Sequence, residues 1–380
     1  MSPRKVLIVG AGLAGSRCAE VLRAEGFAGE VVLAGDEAHP PYERPALSKE
    51  LLAGRRDDVA LRPEGFWRER EIELRLSTRI HRIDVRRRLA RTSSGALSWD
   101  ALVLATGARP RRLPALDGRP GVHALRTLAD AFALRSELAP GLRLAVVGAG
   151  FVGTEVASTA VDLGVEVSLL EAGALPFAQL LGEEVGRILA ERYRSAGVDL
   201  RTEARVESLR ATRGRPRALR LACGTEVACD AALVAVGAQP ATELVGGKAL
   251  ETDACGRTAR PGVYACGDAA AAWRPSAASY TRIEHWTSAA AQGTAVARAI
   301  LGRSAPADDV PYFWSDQFAL RLQHVGHGFG WDRVAVEGAP DSFSARYHAR
   351  EGTLVGALLA NRPNEVASVR RELAGHLLAA

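Results

Sequence analysis

Two glycine-rich turns carry the most specific chemistry in this sequence. Gly10-Ala11-Gly12-Leu13-Ala14-Gly15 and Gly148-Ala149-Gly150-Phe151-Val152-Gly153 share the G-x-G-x-x-G pattern, and their first glycines lie 138 residues apart. Each follows an apolar run and opens a helical one. In that setting the first glycine makes a tight turn, the second lets a pyrophosphate approach the backbone, and the third lets the helix pack close to the strand. The helix N-terminus then offers N–H groups and partial positive charge to the phosphates. A carboxylate at the end of the next strand accepts a ribose hydroxyl. Glu171 holds that place in the second copy, 23 residues after Gly148. It would repel a 2′-phosphate and so favour NADH over NADPH. In the first copy Gly35 stands there, with Asp36 and Glu37 just beyond, and either acid could serve.

Further groups need the right surroundings to matter. Arg44 and Lys49 lie in Pro40-Pro41-Tyr42-Glu43-Arg44-Pro45-Ala46-Leu47-Ser48-Lys49, whose prolines keep a helix from starting early. They are either plain surface charges or contacts to the phosphates or ring of a bound dinucleotide. Pro261-Gly-Val-Tyr-Ala-Cys266-Gly267-Asp268 reads as a short strand ending in Gly-Asp, which presents Asp268 to a ribityl hydroxyl. The five cysteines are odd in number and form no C-x-x-C, against a disulfide framework or a zinc site. None falls between Pro40 and Lys49. Cys18 and Cys266 read as packing residues, and Cys223 and Cys229 flank a hairpin. His324 and His327 lack a third ligand and read as turn and strand residues.

The elements around these groups repeat. Val6–Val9 is a buried-strand run, a helix follows to about Glu25, Glu30–Leu33 is a second strand, and Leu102–Ala105 closes the segment before Thr106-Gly107-Ala108-Arg109-Pro110. The second copy runs Leu144–Val147, a helix to about Leu163, Val165–Leu170, and Leu233–Val236 before Gly237-Ala238-Gln239-Pro240. Strand, glycine turn, helix and strand form a βαβ unit in a parallel sheet. A helix is expected over Ala289–Leu301. From about Pro306 short alternating runs (Pro311–Gln317, Ala319–Gln323, Arg333–Val336, Phe343–Tyr347) predict antiparallel strands, closed by an amphipathic helix over Val366–Leu378. The fold class expected is α/β: two Rossmann-like nucleotide-binding domains plus a small C-terminal α+β domain.

Composition bounds the reading. A chain of 380 residues suggests two to three domains, and 47% hydrophobic with 24% charged residues is an ordinary globular balance. It excludes a disordered chain, a collagen-like repeat and a coiled coil. Aromatics at 6% disfavour a stacking-based binder of single-stranded nucleic acid. No apolar stretch reaches the roughly 18 residues of a membrane span, and Val6–Val9 is too short for a signal peptide, so a cytoplasmic location is expected. The net charge of +5 is almost all arginine, the only lysines being Lys5, Lys49 and Lys248. That excess reflects either genome composition or a basic face for an acidic partner. No lysine-rich tail or dense basic block points to nucleic acid.

Taken together, these segments resemble a family. Gly-Ala-Gly-Leu-Ala-Gly, Pro-Tyr-Glu-Arg-Pro-Ala-Leu-Ser-Lys, Ala-Thr-Gly-Ala-Arg-Pro, the second glycine turn with Glu155, Val-Tyr-Ala-Cys-Gly-Asp, Glu-His-Trp and Phe-Trp-Ser-Asp-Gln match, in order, the FAD-dependent NADH:ferredoxin reductases of the putidaredoxin-reductase type. These serve bacterial Rieske dioxygenase and cytochrome P450 systems. The resemblance covers nearly the whole chain and implies a glutathione-reductase-like fold. An FAD domain would span 1–110 and 241–308, an NADH domain 111–240, and an interface domain 309–380. It implies FAD and NADH as cofactors. The partner would be a [2Fe-2S] ferredoxin, acidic in view of the net charge, with an oxygenase indirectly. Neither nucleic acid nor membrane is expected, and the chain would be a monomer or homodimer.

The resemblance also implies roles. Gly10, Gly12, Ala14 and Gly15 would bind the FAD pyrophosphate, and Asp36 with Glu37 its adenosine end. Arg44 and Lys49 would lie along FAD, Lys49 near the reactive edge of the ring. Ile80 would contact the adenine side, and Ala105 and Arg126 match flavin-contact positions. Gly267 and Asp268 would hold the ribityl or phosphate region, with Trp286 by the isoalloxazine. Gly148, Gly150, Gly153, Glu171 and Gly237 would bind NADH, and Glu155 would stand near the nicotinamide. Trp314 matches the aromatic at the flavin face where electrons leave. Hydride would pass from nicotinamide C4 to flavin N5, and single electrons onward. Some positions depart from the family. Ala46 replaces a second proline, the loop Ala172–Leu181 lacks an arginine, and the stretch from Leu244 to Gly262 looks short enough to have lost a strand. Peroxide, quinone or disulfide as acceptor, or an NADH-sensing redox switch like the apoptosis-inducing factors, remain alternatives.

Overall fold

Residues 6–9 and 144–147 are apolar on both faces because each becomes an inner strand of a parallel sheet covered by helices. In this computed structural model, which describes the chain apart from residues 1–2, 275–278, 305–309, 329 and 380, Lys5–Val9 pairs with Glu30–Ala34 on one side and Ala101–Leu104 on the other. Val263–Ala265 and Ile72–Arg75 complete a five-stranded, all-parallel sheet. A second five-stranded parallel sheet follows the same plan. Its order is Asp199–Arg201, Glu166–Leu170, Arg143–Val147, Ala231–Val234, Val122–His123.

The chain divides into two compact units: Met1–Glu43, Val59–Arg109 and Gln239–Asp309, and Arg44–Asp58, Pro110–Ala238 and Val310–Ala380. In the first unit the glycine-turn helix Leu13–Ala24 lies against Trp286–Ile300. Gly293 allows the approach, since a Cβ there would stand 2.3 Å from the Ala14 carbonyl oxygen. This later helix begins three residues before the expected Ala289. The same unit holds a three-stranded antiparallel meander, Ile80–Asp84, Leu89–Thr92 and Gly95–Ser98, with Ile80, Ala90, Leu97 and Trp99 buried beneath it.

The second unit contains the second glycine-turn helix, Phe151–Asp162, and the helix Glu183–Ser195. It also contains a five-stranded antiparallel sheet ordered Tyr312–Gln317, Leu320–Gly326, Leu354–Ala360, Ser342–His348, Arg333–Ala339. Val366–Ala379 packs on that sheet through Val369 and Leu373. The α/β class and the small α+β addition are as expected, and Leu354–Ala360 is a strand the alternation did not reveal. Its run Ala357–Ala360 is buried throughout, so no alternation is written into it. One further reading changes. The stretch from Leu244 to Gly262 keeps a strand, Leu250–Thr252, paired in parallel with Ala270–Arg274. The start of the C-terminal segment at Pro306 lies outside the described residues.

Candidate functional site

The two glycine turns fold almost identically. Gly10 and Gly148 have φ of +113° and +103°, a region glycine occupies freely. A Cβ on either would stand 2.1 Å from the Ala105 oxygen or 2.5 Å from the Ala235 oxygen. At Gly15 and Gly153 a Cβ would meet the carbonyl oxygen of Gly10 or Gly148 at 2.0 Å, so these glycines seat helix on turn. Gly12 and Gly150 differ in kind. Each is the N-cap of its helix, has extended backbone and no side-chain cap, and a Cβ there meets nothing within 4 Å. The first-turn amides therefore face open space that a methyl would fill. That is the cradle a dinucleotide pyrophosphate requires, so the residues present fit two such ligands.

Around the first cradle, Gly35 cannot carry the usual acid, because a Cβ there would stand 2.7 Å from the Ala11 Cβ. Asp36 is exposed one residue on, and the Glu37 carboxylate accepts a hydrogen bond from the Tyr42 hydroxyl at 2.6 Å. Gly267 donates its N–H to the Gln292 amide oxygen at 2.9 Å and approaches Ala14, which brings the Gly-Asp turn against the start of the glycine-turn helix. Asp268 is half-buried there, as is Trp286 at the head of the later helix. Ile80 is a core residue of the meander and Ala105 backs Gly10. Cys18 and Cys266 lie in this unit's core. Burial pushes both thiols up, Cys266 to about 12 and Cys18 well above its ordinary value with a further push from Cys266. Such thiols are packing, not nucleophiles.

Around the second cradle, Glu171 accepts N–H bonds from Ala149 at 3.0 Å and Gly173 at 2.8 Å, which clasps the turn to its strand end. Gly237 has φ of +95° and its carbonyl accepts from the Arg111 N–H at 2.9 Å. The Arg44 guanidinium donates to the Arg126 carbonyl at 2.5 Å.

Glu155 projects from the glycine-turn helix into a buried polar cluster. Its Oε2 lies 2.6 Å from Lys49 Nζ and accepts the Ser48 hydroxyl at 2.5 Å, while its Oε1 accepts the Ser315 hydroxyl at 2.7 Å. The ion-paired side chains are only 13% and 8% exposed, so every hydrogen bond to them matters. Beside this cluster Phe313 makes an edge contact with Phe151 and stacks on His324, and Trp314 stacks on Tyr312 at 6.3 Å between centroids. The sequence reading named Lys49, Glu155 and Trp314. It did not name Ser48, Ser315, Gln317 or Tyr193. The first three lie inside quoted motifs, whereas Tyr193 lies on an amphipathic helix that gave no sign of it.

The positive charge gathers in two exposed stretches, one of them residues 205–220, which hold six arginines against Glu207. The other is residues 79–100, which hold Arg79, Arg82, Arg86, Arg87, Arg88 and Arg91 against Asp84 and Asp100, a net of +4. All six arginines are exposed on the meander, and Arg82 and Arg91 are direct cross-strand partners. The sequence reading singled out neither stretch.

Residues 4–293 match the pyridine nucleotide-disulphide oxidoreductase family, and residues 312–377 match the reductase C-terminal family. A ferredoxin–NAD(P)(+) reductase from a Sphingomonas species is 36% identical over 96% of this chain and 92% of its own length. The chain belongs to the ferredoxin reductases of the pyridine nucleotide-disulphide oxidoreductase family. The ferredoxin–NAD(+) reductase component of the Paraburkholderia xenovorans biphenyl dioxygenase system is 36% identical, over 89% of this chain and 84% of that protein. Among solved structures, the covalent putidaredoxin reductase–putidaredoxin complex matches with a TM-score of 0.94 and 32% identity, covering 98% of this chain and 93% of that one. The family uses FAD and NAD(P)H, in keeping with the two cradles of this reductase. No helix among the described residues is long and apolar enough to cross a membrane.

Proposed function

We propose that this reductase carries electrons from NADH through FAD to a [2Fe-2S] ferredoxin that serves a cytochrome P450 or Rieske oxygenase. The observation that carries the reading is the buried Lys49–Glu155 pair, set in a segment that offers no thiol. Bound FAD supplies the chemistry that converts a two-electron hydride donor into single electrons for a metal cluster. We assign residues 1–110 and 241–308 to FAD, 111–240 to NADH and 309–380 to the interface.

Within that assignment Gly10, Gly12, Ala14 and Gly15 hold the FAD pyrophosphate. Asp36, Glu37 and Ile80 serve its adenosine end, and Gly267 and Asp268 its ribityl and phosphate region. Arg44, Ala105 and Arg126 line it, and Trp286 covers the ring. Lys49 places a positive charge at the reactive edge, and Glu155 holds Lys49 there. Gly148, Gly150, Gly153, Glu171 and Gly237 bind NADH. Trp314 stands where electrons leave. The basic meander supports an acidic partner drawn in by the field of the whole chain.

The test is anaerobic. FAD-loaded protein is mixed with NADH and a panel of [2Fe-2S] ferredoxins, and the iron–sulfur absorbance is followed. Rapid bleaching that slows with added salt is the expected result. Bleaching of the flavin alone, with turnover on peroxide, quinone or disulfide, would reassign the acceptor. Slow turnover with a long-lived reduced flavin–NAD state and altered association would instead favour a redox switch.

A further inference from the structure

Glu155 stands at the end of a hydrogen-bond relay whose polarity is set link by link. A carboxylate only accepts, so the Ser315 hydroxyl donates to it at 2.7 Å. With its proton committed, Ser315 accepts, and the Gln317 side-chain N–H donates to it at 3.0 Å. That orientation turns Gln317 Oε1 toward the helix Glu183–Ser195, where the Tyr193 hydroxyl donates to it at 2.6 Å. Flipping the Gln317 amide would leave Ser315 with two acceptors and one proton. Tyr193 is fully buried, and burial pushes its phenol up, so it holds its proton. On the other side Ser48 donates to Glu155 while its own carbonyl accepts from Thr159 at 2.8 Å.

The backbone fixes this relay at some cost. Phe318 and Ala319, directly after Gln317, have φ of +49° and +61°, a hairpin turn normally built from asparagine and glycine. Non-glycine residues persist there only where the surroundings over-determine them. Phe318 N–H donates to the Ser158 hydroxyl at 2.7 Å, its carbonyl accepts from Arg192 at 2.9 Å, and its ring packs on Tyr193 at 4.9 Å. The turn is thus pinned to both helices that carry the ends of the relay.

We propose that Tyr193, Gln317 and Ser315 are positioning residues that orient Glu155 and, through it, the Lys49 ammonium. The inference rests on the reading that Lys49 works at the flavin. It adds that the C-terminal sheet and the Tyr193 helix set where that charge sits.

The experiment is a double-mutant cycle on the FAD-loaded enzyme with Tyr193→Phe, Ser315→Ala and both together. Three quantities are read: the single-turnover rate of flavin reduction by NADH, the NADH Kd, and the flavin midpoint potential. Ser315→Ala removes a hydrogen bond to a charged group and should slow reduction about tenfold or more, and Tyr193→Phe roughly threefold. NADH Kd should not move, and the potential should fall as the cation is displaced. The double variant should be no slower than Ser315→Ala alone, and Ser315→Thr, which keeps the hydroxyl, should restore the rate. Additive losses, or losses in Tm with unchanged rate and potential, would overturn the relay. If Ser315→Ala does not retain FAD, Gln317→Met replaces it in the cycle. Lys49→Met separates the two levels: no effect from it refutes the flavin-edge reading itself. A strong effect from it with none from Ser315→Ala and Tyr193→Phe refutes only the relay.

Discussion

Gly150→Ala and Gly153→Ala are chemically identical changes three residues apart, and the structure predicts opposite outcomes. At Gly153 the new Cβ stands 2.0 Å from the Gly148 carbonyl oxygen, a backbone atom that cannot move without displacing the turn. Overpacking of this kind costs about 1–3 kcal/mol or more, a fall in Tm of about 1–4 °C or more for a chain of this length. At Gly150 the new methyl meets nothing within 4 Å, and the backbone, at φ −83° and ψ −179°, is open to any residue. Stability should stay level or rise by about 0.4–1 kcal/mol, because alanine restricts the unfolded chain. The methyl instead occupies the space facing the first-turn amides. Loss of one or two charge-assisted hydrogen bonds to a pyrophosphate, at about 1.5–3 kcal/mol each, raises the NADH Kd at least about tenfold. Thermal melts by tryptophan fluorescence and anaerobic titration of the FAD-loaded protein with NADH read the two effects separately. An unaltered NADH Kd for Gly150→Ala, or an unaltered Tm for Gly153→Ala, would refute the division between ligand-facing and structural glycines. The equivalent pair in the first turn, Gly12→Ala and Gly15→Ala, extends the same contrast to FAD retention.

Glu171→Ala should raise the KM for NADH about tenfold relative to that for NADPH, since one charge-assisted hydrogen bond is lost and a repulsion removed. Equal changes in kcat/KM for the two nucleotides would withdraw the assignment. Brief alkylation of the native protein at pH 8 should modify exposed Cys223, whose thiol is lowered chiefly by its hydrogen bond to Thr225, and spare Cys18, Cys229 and Cys266. Mass spectrometry of the labelled peptides decides this. Burial raises those three thiols, Cys229 to about 11 and Cys266 to about 12, so they favour the folded state in full below the ordinary thiol range. That contribution is lost as pH climbs from about 9 toward 12, so Tm should fall on the alkaline side, and less steeply once Cys266 is replaced by Ala. Arg82→Gln with Arg91→Gln removes a like-charge cross-strand pair. It should leave flavin reduction by NADH unchanged, raise Tm slightly, and flatten the ionic-strength dependence of ferredoxin reduction. An unchanged salt slope would clear the meander of any part in steering.

Much of the fold was legible because its signals are local. The strand runs at 6–9 and 144–147, each followed by glycines at fixed spacing, announce a duplicated βαβ unit within a dozen residues. Motif spacing likewise marked Glu171, while the family resemblance marked Lys49 and Glu155 as places to look. The strand Leu354–Ala360 escaped because a run buried on both sides carries no alternation to read. The basic meander escaped because its arginines are scattered over thirteen residues and become one surface only when Arg82 and Arg91 meet across strands.

The sequence by itself determined which glycines turn the chain, which acid ends the second strand of the second copy, and that the segment Pro40–Lys49 carries no cysteine, since each is a property of residue type at a short offset. Only the tertiary structure decided that Ser48, Ser315, Gln317 and Tyr193 act on one carboxylate. Those bonds span 107, 160 and 124 residues of chain. Which donor meets which acceptor at such separations is settled by how two helices and a sheet edge pack, and by the need to satisfy every buried polar atom there, neither of which leaves a period in the sequence.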